Sequence, residues 1–332
     1  MADPMQALKC LPTMPNLTMD NITDNVLLMN SINPNARLKF ILERAVVHLH
    51  EYIRDTRLTA KELMTGLKFL TATGKTSDEA SQEFIMLSDI LGLSMLVDSI
   101  ENPKPPGSTE GTVLGPYHTH EVEDKTLGSL LSSDANGEPM LALCTVKDVF
   151  RKPIPGVKID IWEADSTGHY DMQYLDRDCP DGRCVMRSDE NGIFWFKAIV
   201  PVPYPIPADG PAGQLMKQLG RHCWRPAHMH FMFEKPGYDR LVTSLYFKND
   251  PYTTTDPVFG VKESLIVSLG KADKETAEKY GVKDGIALLA YNFTLVSEQD
   301  GFNLRAEQTR QAFEKLGKTV KIAQGLPVPD VD

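Results

Sequence analysis

Three His-x-His pairs are the densest groups of metal-capable side chains in the sequence, and their surroundings separate them. Side chains two residues apart diverge by ~200° on a helix but share one face of a strand. His48 and His50 lie in a run with helical apolar spacing, so they cannot reach one ion. His118 and His120 follow Gly115-Pro116-Tyr117 in an expected loop. His228 and His230 sit in Ala227-His-Met-His-Phe-Met-Phe-Glu234, a strand-like run that turns both imidazoles one way and Met229, Phe231 and Phe233 the other. Such a pair is either the start of a metal site or two hydrogen-bonded core histidines. A zinc hydrolase would add a carboxylate or a third histidine, and no H-E-x-x-H is present. The facial triad of Fe(II) oxygenases needs an acid; Glu234, on the same strand face, keeps that option open.

Two tyrosines occupy unusual contexts. Tyr204 lies within Pro201-Val-Pro-Tyr-Pro-Ile-Pro207. Alternate prolines fix φ and remove backbone donors, so this segment should be a stiff extended strap. Tyr170 follows a strand and a glycine turn in Trp162-Glu-Ala-Asp-Ser-Thr-Gly-His-Tyr-Asp171. Read alone, each tyrosine suits packing or hydrogen bonding better than ligation. Asp89 stands in the apolar run Phe84-Ile-Met-Leu-Ser-Asp-Ile-Leu-Gly92, where an ionisable group needs a partner. Cys179-Pro-Asp-Gly-Arg-Cys184 lacks C-x-x-C spacing and reads as ordinary thiols in a surface turn.

These residues must be positioned by a scaffold that changes character near residue 105. Before it, Leu38, Ile41, Leu42, Ala45, Val46 and Leu49 follow helical spacing. Thr59 with Glu62 forms a capping box for a helix ending at Gly74, and Thr76 with Glu79 opens a very apolar third helix to about Ile100. Pro103-Lys-Pro-Pro-Gly107 breaks the chain. Strands are then expected at 141–149, 157–164, 192–199, 227–233, 241–247, 265–269 and 289–296, with a last helix through Leu304, Phe313 and Leu316. The fold class is therefore α+β, an N-terminal helical domain (1–107) followed by an antiparallel β-sandwich (108–300) and a C-terminal tail (301–332). Of the 332 residues, 42% are hydrophobic and 24% charged, as in ordinary globular chains. A net charge of −10 without a basic cluster argues against a nucleic-acid partner. No apolar stretch reaches ~18 residues and no secretory signal is evident, so no membrane association is expected. Five scattered cysteines point to reduced thiols and a cytoplasmic location.

Three segments together resemble the intradiol ring-cleaving dioxygenases. They are Gly168-His-Tyr-Asp-Met-Gln173, Tyr204-Pro-Ile-Pro-Ala-Asp-Gly-Pro211 and Gly220-Arg-His-Cys-Trp-Arg-Pro-Ala-His-Met-His-Phe231. The helical N-terminal part resembles the catechol and hydroxyquinol branch. The resemblance implies one mononuclear non-haem Fe(III) per chain, with Tyr170, Tyr204, His228 and His230 as ligands. Hard phenolate oxygens suit a hard trivalent ion, and a bound cation favours the tyrosinate despite its ordinary pKa of ~10. It also implies that Tyr204 is the tyrosinate that leaves to act as a base, and that Arg225 stabilises developing negative charge. Many catechol-cleaving members carry glutamine fourteen residues beyond the second histidine, where this chain has Ser244.

By the same resemblance the substrate would lie among Met86, Asp89, Val113, Leu114, Gly115, Pro116, Tyr117, Ile206, Pro207, Arg225 and Val258. The hydroxyquinol branch carries aspartate at the place of Asp89, where it would accept a hydrogen bond from a third ring hydroxyl. The expected reaction is O2-dependent cleavage of hydroxyquinol (benzene-1,2,4-triol) between its adjacent hydroxyl carbons, in aromatic catabolism. The product would be 3-hydroxy-cis,cis-muconate, which tautomerises to maleylacetate. Cleavage of catechol to cis,cis-muconate is the alternative, and a metal-free β-sandwich binding module is the alternative of a different class. The resemblance further implies a homodimer through the N-terminal helices, with lipid trapped between the arms in family members.

Overall fold

Among the described residues five helices open the chain, and their boundaries follow from caps and one glycine. In this computed structural model, which describes residues 11–77, 82–174, 179–323 and 325–330, α1 (Ile22–Asn30) precedes α2 (Ala36–Thr56) and α3 (Ala60–Thr76). Asn35 caps α2 by accepting from the Leu38 N–H at 2.9 Å. Thr59 and Glu62 form the expected reciprocal cap, Thr59 N–H donating to Glu62 Oε2 at 2.9 Å and Glu62 N–H to Thr59 Oγ1 at 3.3 Å. The helix they start runs through Gly74 to Thr76. The single third helix expected to reach Ile100 is instead two, α4 (Glu83–Ile90) and α5 (Leu93–Glu101). Gly92 between them has φ 74°, a left-handed conformation that ends one helix and starts the next. The proposed cap at Glu79 lies outside the described residues. Leu38, Ile41, Leu42 and Leu49 of α2, and Phe84, Ile85, Leu96 and Val97 beyond it, are exposed on the single chain.

The strands build two sheets over one core. β1 (Pro139–Asp148), β4 (Ile193–Ile199), β10 (Gly270–Lys271) and β11 (Ala287–Leu295) form a sheet in the order β10-β11-β1-β4. β2 (Lys158–Glu163), β3 (Arg183–Arg187), β7 (His228–Glu234), β8 (Leu241–Phe247) and β9 (Ile266–Val267) form the other, in the order β3-β2-β7-β8-β9. A short pair, β5 (Tyr204–Pro205) with β6 (Trp224–Arg225), stands apart. Most pairings are antiparallel, but β1 with β11 and β8 with β9 run parallel, so the sheets are mixed. Both parallel pairs join strands separated by long connections, whose direction no hairpin dictates. Inner faces of the two sheets meet in one cluster that includes Met140, Ala142, Phe194, Phe196, Met229, Phe231, Phe233 and Phe293, all essentially sealed from solvent. Helices α6 (Pro211–Gln218) and α7 (Lys274–Tyr280) sit in the connections.

β3 falls where a surface cysteine turn was expected. Cys179 is exposed, but Cys184 is buried on the strand, and burial pushes its thiol up to about 12. The chain then closes with α8 (Glu298–Lys315) and a hairpin of β12 (Thr319–Ala323) and β13 (Leu326–Asp330), which the sequence reading did not foresee. By contacts, residues 1–70 with 306–332 form one compact unit and residues 71–305 a second. In the first unit, Phe313 packs on Phe40 with centroids 5.3 Å apart, and Arg37 Nη1 donates to the Pro327 carbonyl at 2.6 Å. No helix among the described residues is long and apolar enough to cross a membrane.

Candidate active site

The site grows out of the register of β7. His228, His230 and Met232 project from the face opposite Met229, Phe231 and Phe233, as the period of two demands. His230 pairs across to Trp162 on β2, whose indole lies flat on the imidazole at 4.7 Å and an interplanar angle of 5°. On its other side His230 pairs with Ser244 of β8, and Ser244 Oγ lies 2.9 Å from His230 Nδ1. His228 donates through Nδ1 to the Pro226 carbonyl at 2.7 Å, because a carbonyl can only accept. The remaining nitrogens, His228 Nε2 and His230 Nε2, face each other at 3.1 Å. Burial, followed by Arg225, holds His228 below the usual histidine range; burial, His228 and Arg225 do the same for His230. Both rings are therefore neutral.

The two tyrosines arrive from separate loops. Tyr170 is sealed from solvent, and its hydroxyl lies 3.4 Å from His228 Nε2. Its backbone N–H donates to Gln173 Oε1 at 2.8 Å, and the turn after it is held by an Arg183–Asp171 ion pair. Gly168 has φ 83°, and a Cβ there would lie 2.7 Å from Tyr204 Cβ, so only glycine lets the two tyrosine segments approach. Tyr204 is fixed by the expected strap, which pairs Tyr204 with Arg225 and Pro205 with Trp224. The tyrosine rings meet edge-on at 5.6 Å, and burial and then Tyr204 push the Tyr170 hydroxyl well above its ordinary value.

Arg225 is the hub. Its Nη1 donates to Tyr204 Oη at 3.3 Å and its Nη2 to Tyr246 Oη at 3.4 Å, while Nε and Nη2 reach the two Asp256 oxygens at 3.2 and 3.4 Å. Burial disfavours its charge, but Tyr204, Asp256 and Tyr246 outweigh that and keep it a cation. Burial raises Asp256, yet Arg225 more than offsets this and holds the carboxyl low.

The donor set fits a hard cation. Two neutral imidazoles at right angles with ~2.1 Å bonds to one ion would sit about 3 Å apart, the separation found here. A cation would also reverse the burial that keeps Tyr170 protonated. No cluster of three His, Cys, Asp or Glu side chains suited to a metal occurs among the described residues. Glu234 instead accepts from Lys158 at 3.0 Å. His118 Nε2 is engaged with Asp160 at 2.9 Å, His48 lies exposed beside Glu51, and His50 bonds Thr23.

Loop residues pack around these side chains. Leu114, Tyr117 and Ile206 pack on the cluster of Trp162, Tyr170, Tyr204 and Met232, and Tyr117 stacks on Tyr170 at 4.7 Å. Gly115 runs so close to His230 that a Cβ would lie 3.5 Å from its ring. Val258 is buried beyond Asp256, Val113 is half-buried, and Pro116 and Pro207 are exposed. Met86 and Asp89 are half-buried on α4. Burial raises the Asp89 carboxyl, opposed by a hydrogen bond from Ser94 and by Arg225. Sequence reasoning missed Asp256 and Tyr246 around Arg225 and the stacking of Trp162. Ser244 was noticed only as a departure, and Asp256 sits in a Thr-Asp-Pro turn with no periodic signal.

A family model described as "Catechol dioxygenase N terminus" matches residues 35–109, and one described as "Dioxygenase" matches 113–297. The chain is 61% identical over 322 residues to the intradiol ring-cleavage dioxygenase hqdA of Aspergillus niger, covering 97% of this chain and 98% of that protein. It is 46% identical to the 6-chlorohydroxyquinol 1,2-dioxygenase of Cupriavidus pinatubonensis, covering 74% of this chain and 89% of the relative. The structure is similar to that of hydroxyquinol 1,2-dioxygenase from Pseudomonas putida, with TM-score 0.81 and 38% identity over 84% of this chain and 99% of that one.

Proposed function

We propose, since the chain belongs to the intradiol ring-cleavage dioxygenases of the hydroxyquinol and catechol 1,2-dioxygenase family, that its substrate is hydroxyquinol, opened between its adjacent hydroxyl carbons to 3-hydroxy-cis,cis-muconate and thence maleylacetate. The enzyme is an oxidoreductase that acts with O2 on a catechol- or hydroxyquinol-like diol, and its family generally depends on a non-haem Fe(III) centre. Asp89 carries the substrate reading. Its carboxyl is half-buried on the pocket wall, within electrostatic reach of Arg225 and Asp256. Beside the hydrogen bond from Ser94, a carboxylate there can accept one from a third ring hydroxyl, and a substrate without that hydroxyl leaves the second bond unmade. The relatives named for hydroxyquinol and 6-chlorohydroxyquinol support the same substrate class.

In this reading Tyr170, Tyr204, His228 and His230 would hold one Fe(III). Bound there, such an ion would supply the Lewis-acid and redox character that activates the diol toward O2. Tyr204, as the tyrosinate, would take one hydroxyl proton from the substrate on its Oη and become neutral. Arg225, 3.3 Å from that oxygen, stabilises the negative charge that develops on the ring. Tyr117 and Ile206, packed over the tyrosines, exclude water from it. Residues 1–107 would serve as a dimerisation arm, 108–300 as the catalytic part and 301–332 as a tail. The exposed apolar residues of α2 support a homodimer through these helices, with lipid between the arms. The four described cysteines, all free thiols, support a cytoplasmic location.

The test is oxygen uptake with hydroxyquinol and catechol side by side, with product identification, on wild type and Asp89→Ala. Asp89→Ala should lower kcat/KM for hydroxyquinol at least about tenfold more than for catechol. Equal losses on both would overturn the substrate assignment, and cleavage outside the diol would overturn the reaction.

A further inference from the structure

The wall opposite the donors is assembled from segments distant in the chain, and one side chain ties two of them together. Arg221 follows α6 and is half-buried. Its Nη1 donates to the Ile90 carbonyl at 2.7 Å, at the C-terminus of α4 and one residue after Asp89. Its Nη2 donates to the Pro257 carbonyl at 2.6 Å, beside Asp256 and Val258. A guanidinium suits this place twice over. Its planar fork reaches two acceptors at a fixed spacing, and its charge is favourable at a helix C-terminus.

The same guanidinium lies over the ring of Phe259, 5.1 Å from its centroid. Phe259 has φ 59°, a left-handed conformation that a bulky residue adopts only when its surroundings hold it there. Its ring, 52% exposed, lies against Gly92, where a Cβ would be in van der Waals contact with it at 3.4 Å. The turn that ends α4 and the loop 256–260 are thus packed through Phe259 and bonded through Arg221. At the head of that loop, Asp256 accepts from the Gly260 N–H at 2.8 Å and presents both oxygens to Arg225. A continuous set of contacts runs from Asp89's helix through Arg221 to Asp256 and Arg225.

We propose that Arg221 is a positioning residue for substrate discrimination, clamping the C-terminus of α4 to the loop that orients Arg225 and so fixing where Asp89 stands relative to the reacting diol. Arg221 touches neither the four donors nor, in this account, the substrate. The inference rests on the assignment of Asp89 to the third ring hydroxyl. Release of the clamp lets α4 drift, and misplacement of a binding group by ~1 Å can cost on the order of a hundredfold in rate.

The experiment compares wild type, Arg221→Lys, Arg221→Ala, Phe259→Gly, Asp89→Ala and the double variant Asp89→Ala/Arg221→Lys. For each, kcat and KM are measured on hydroxyquinol and catechol, together with iron content and visible absorption. Arg221→Lys should lower the hydroxyquinol-to-catechol ratio of kcat/KM about tenfold, with iron content and absorption unchanged. Phe259→Gly suits the positive φ and keeps the fold if Arg221→Ala does not; it should lower the ratio by a smaller factor. In the Asp89→Ala background, Arg221→Lys should not change the ratio further. Equal losses on both substrates, or a ratio effect that persists without Asp89, would overturn the role of Arg221 while leaving the substrate assignment intact. An unchanged ratio in Asp89→Ala alone would overturn the assignment and the inference with it.

Discussion

The two walls of this site are built in different ways. The proposed donor wall is mostly β-structure: His228 and His230 on β7, flanked by Trp162 and Ser244 from the adjoining strands, with Tyr204 on the β5–β6 pair; Tyr170 alone comes from a turn, the one that follows β2. Each donor is at most 5% exposed, and the orientation of each imidazole is set by a cross-strand or backbone partner. The wall proposed to face it is a short helix and two loops, in which Met86, Asp89 and Val113 are only half-buried and Pro116 and Pro207 are exposed. Its placement depends on individual side chains such as Arg221 and Asp256. Register fixes a constellation tightly because every neighbour on a sheet is determined by its partner. Loops can change shape without disturbing that constellation. The contrast suggests that the chemistry resides in the sheet and the choice of ring in the loops.

Three measurements would break or sharpen this division. The largest effect is expected from the donor wall. Tyr170→Phe removes one of the four proposed donors, and should alter and weaken the visible absorption of the iron-loaded enzyme and lower kcat on hydroxyquinol and catechol alike by at least about a hundredfold. A large change in the substrate ratio would mean that the two walls are not separable.

A smaller effect should follow from Ser244→Ala, which releases His230 Nδ1. Loss of a group that orients a ligand typically weakens metal binding by about 10–100-fold. Competition with a chelator should reveal the loss as faster iron release, with the hydroxyquinol-to-catechol ratio unchanged. Retention of iron as tight as in wild type would show that Trp162 stacking alone suffices to hold the ring.

The smallest effect concerns the far end of the hairpin that carries both histidines. Asp239, in the β7–β8 turn, accepts from Lys104 at 2.6 Å and from Arg305 at 3.0 Å. Burial raises its carboxyl, but Arg305 and Lys104 outweigh that and hold it below the ordinary range. Its contribution to stability is therefore fully present above the unfolded value of about 4 and is lost as pH falls through the lower folded value. Urea unfolding should show Asp239→Asn to be less stable by on the order of 2 kcal/mol at neutral pH, with the difference shrinking below about pH 4. A difference that stays constant into acid would assign the loss to packing rather than charge.

Much of the donor wall was legible in advance because strands encode direction locally. The alternation in His228-Met-His-Phe-Met-Phe233 fixes which side chains share a face, and the alternate prolines around Tyr204 predict an extended strap. The apolar run through Leu91 to Ile100 misled for an equally local reason, since hydrophobic spacing does not register the backbone break at Gly92. The partners of Arg225 were invisible. Asp256 and Tyr246 lie 31 and 21 residues away, and nothing in their own surroundings marks them.

The sequence by itself determined the strand face that carries both imidazoles, the extended strap around Tyr204 and the succession of helices followed by strands. All of these follow from backbone preferences with periods of two or 3.6 residues. Only the tertiary structure decided that Gly168 lets two tyrosines meet, that Ser244 and Trp162 hold His230, and that Arg221 joins α4 to the loop of Asp256. These depend on strand register and on packing between segments far apart in the chain, where distances of a few ångströms are set by the whole core rather than by any local run of residues.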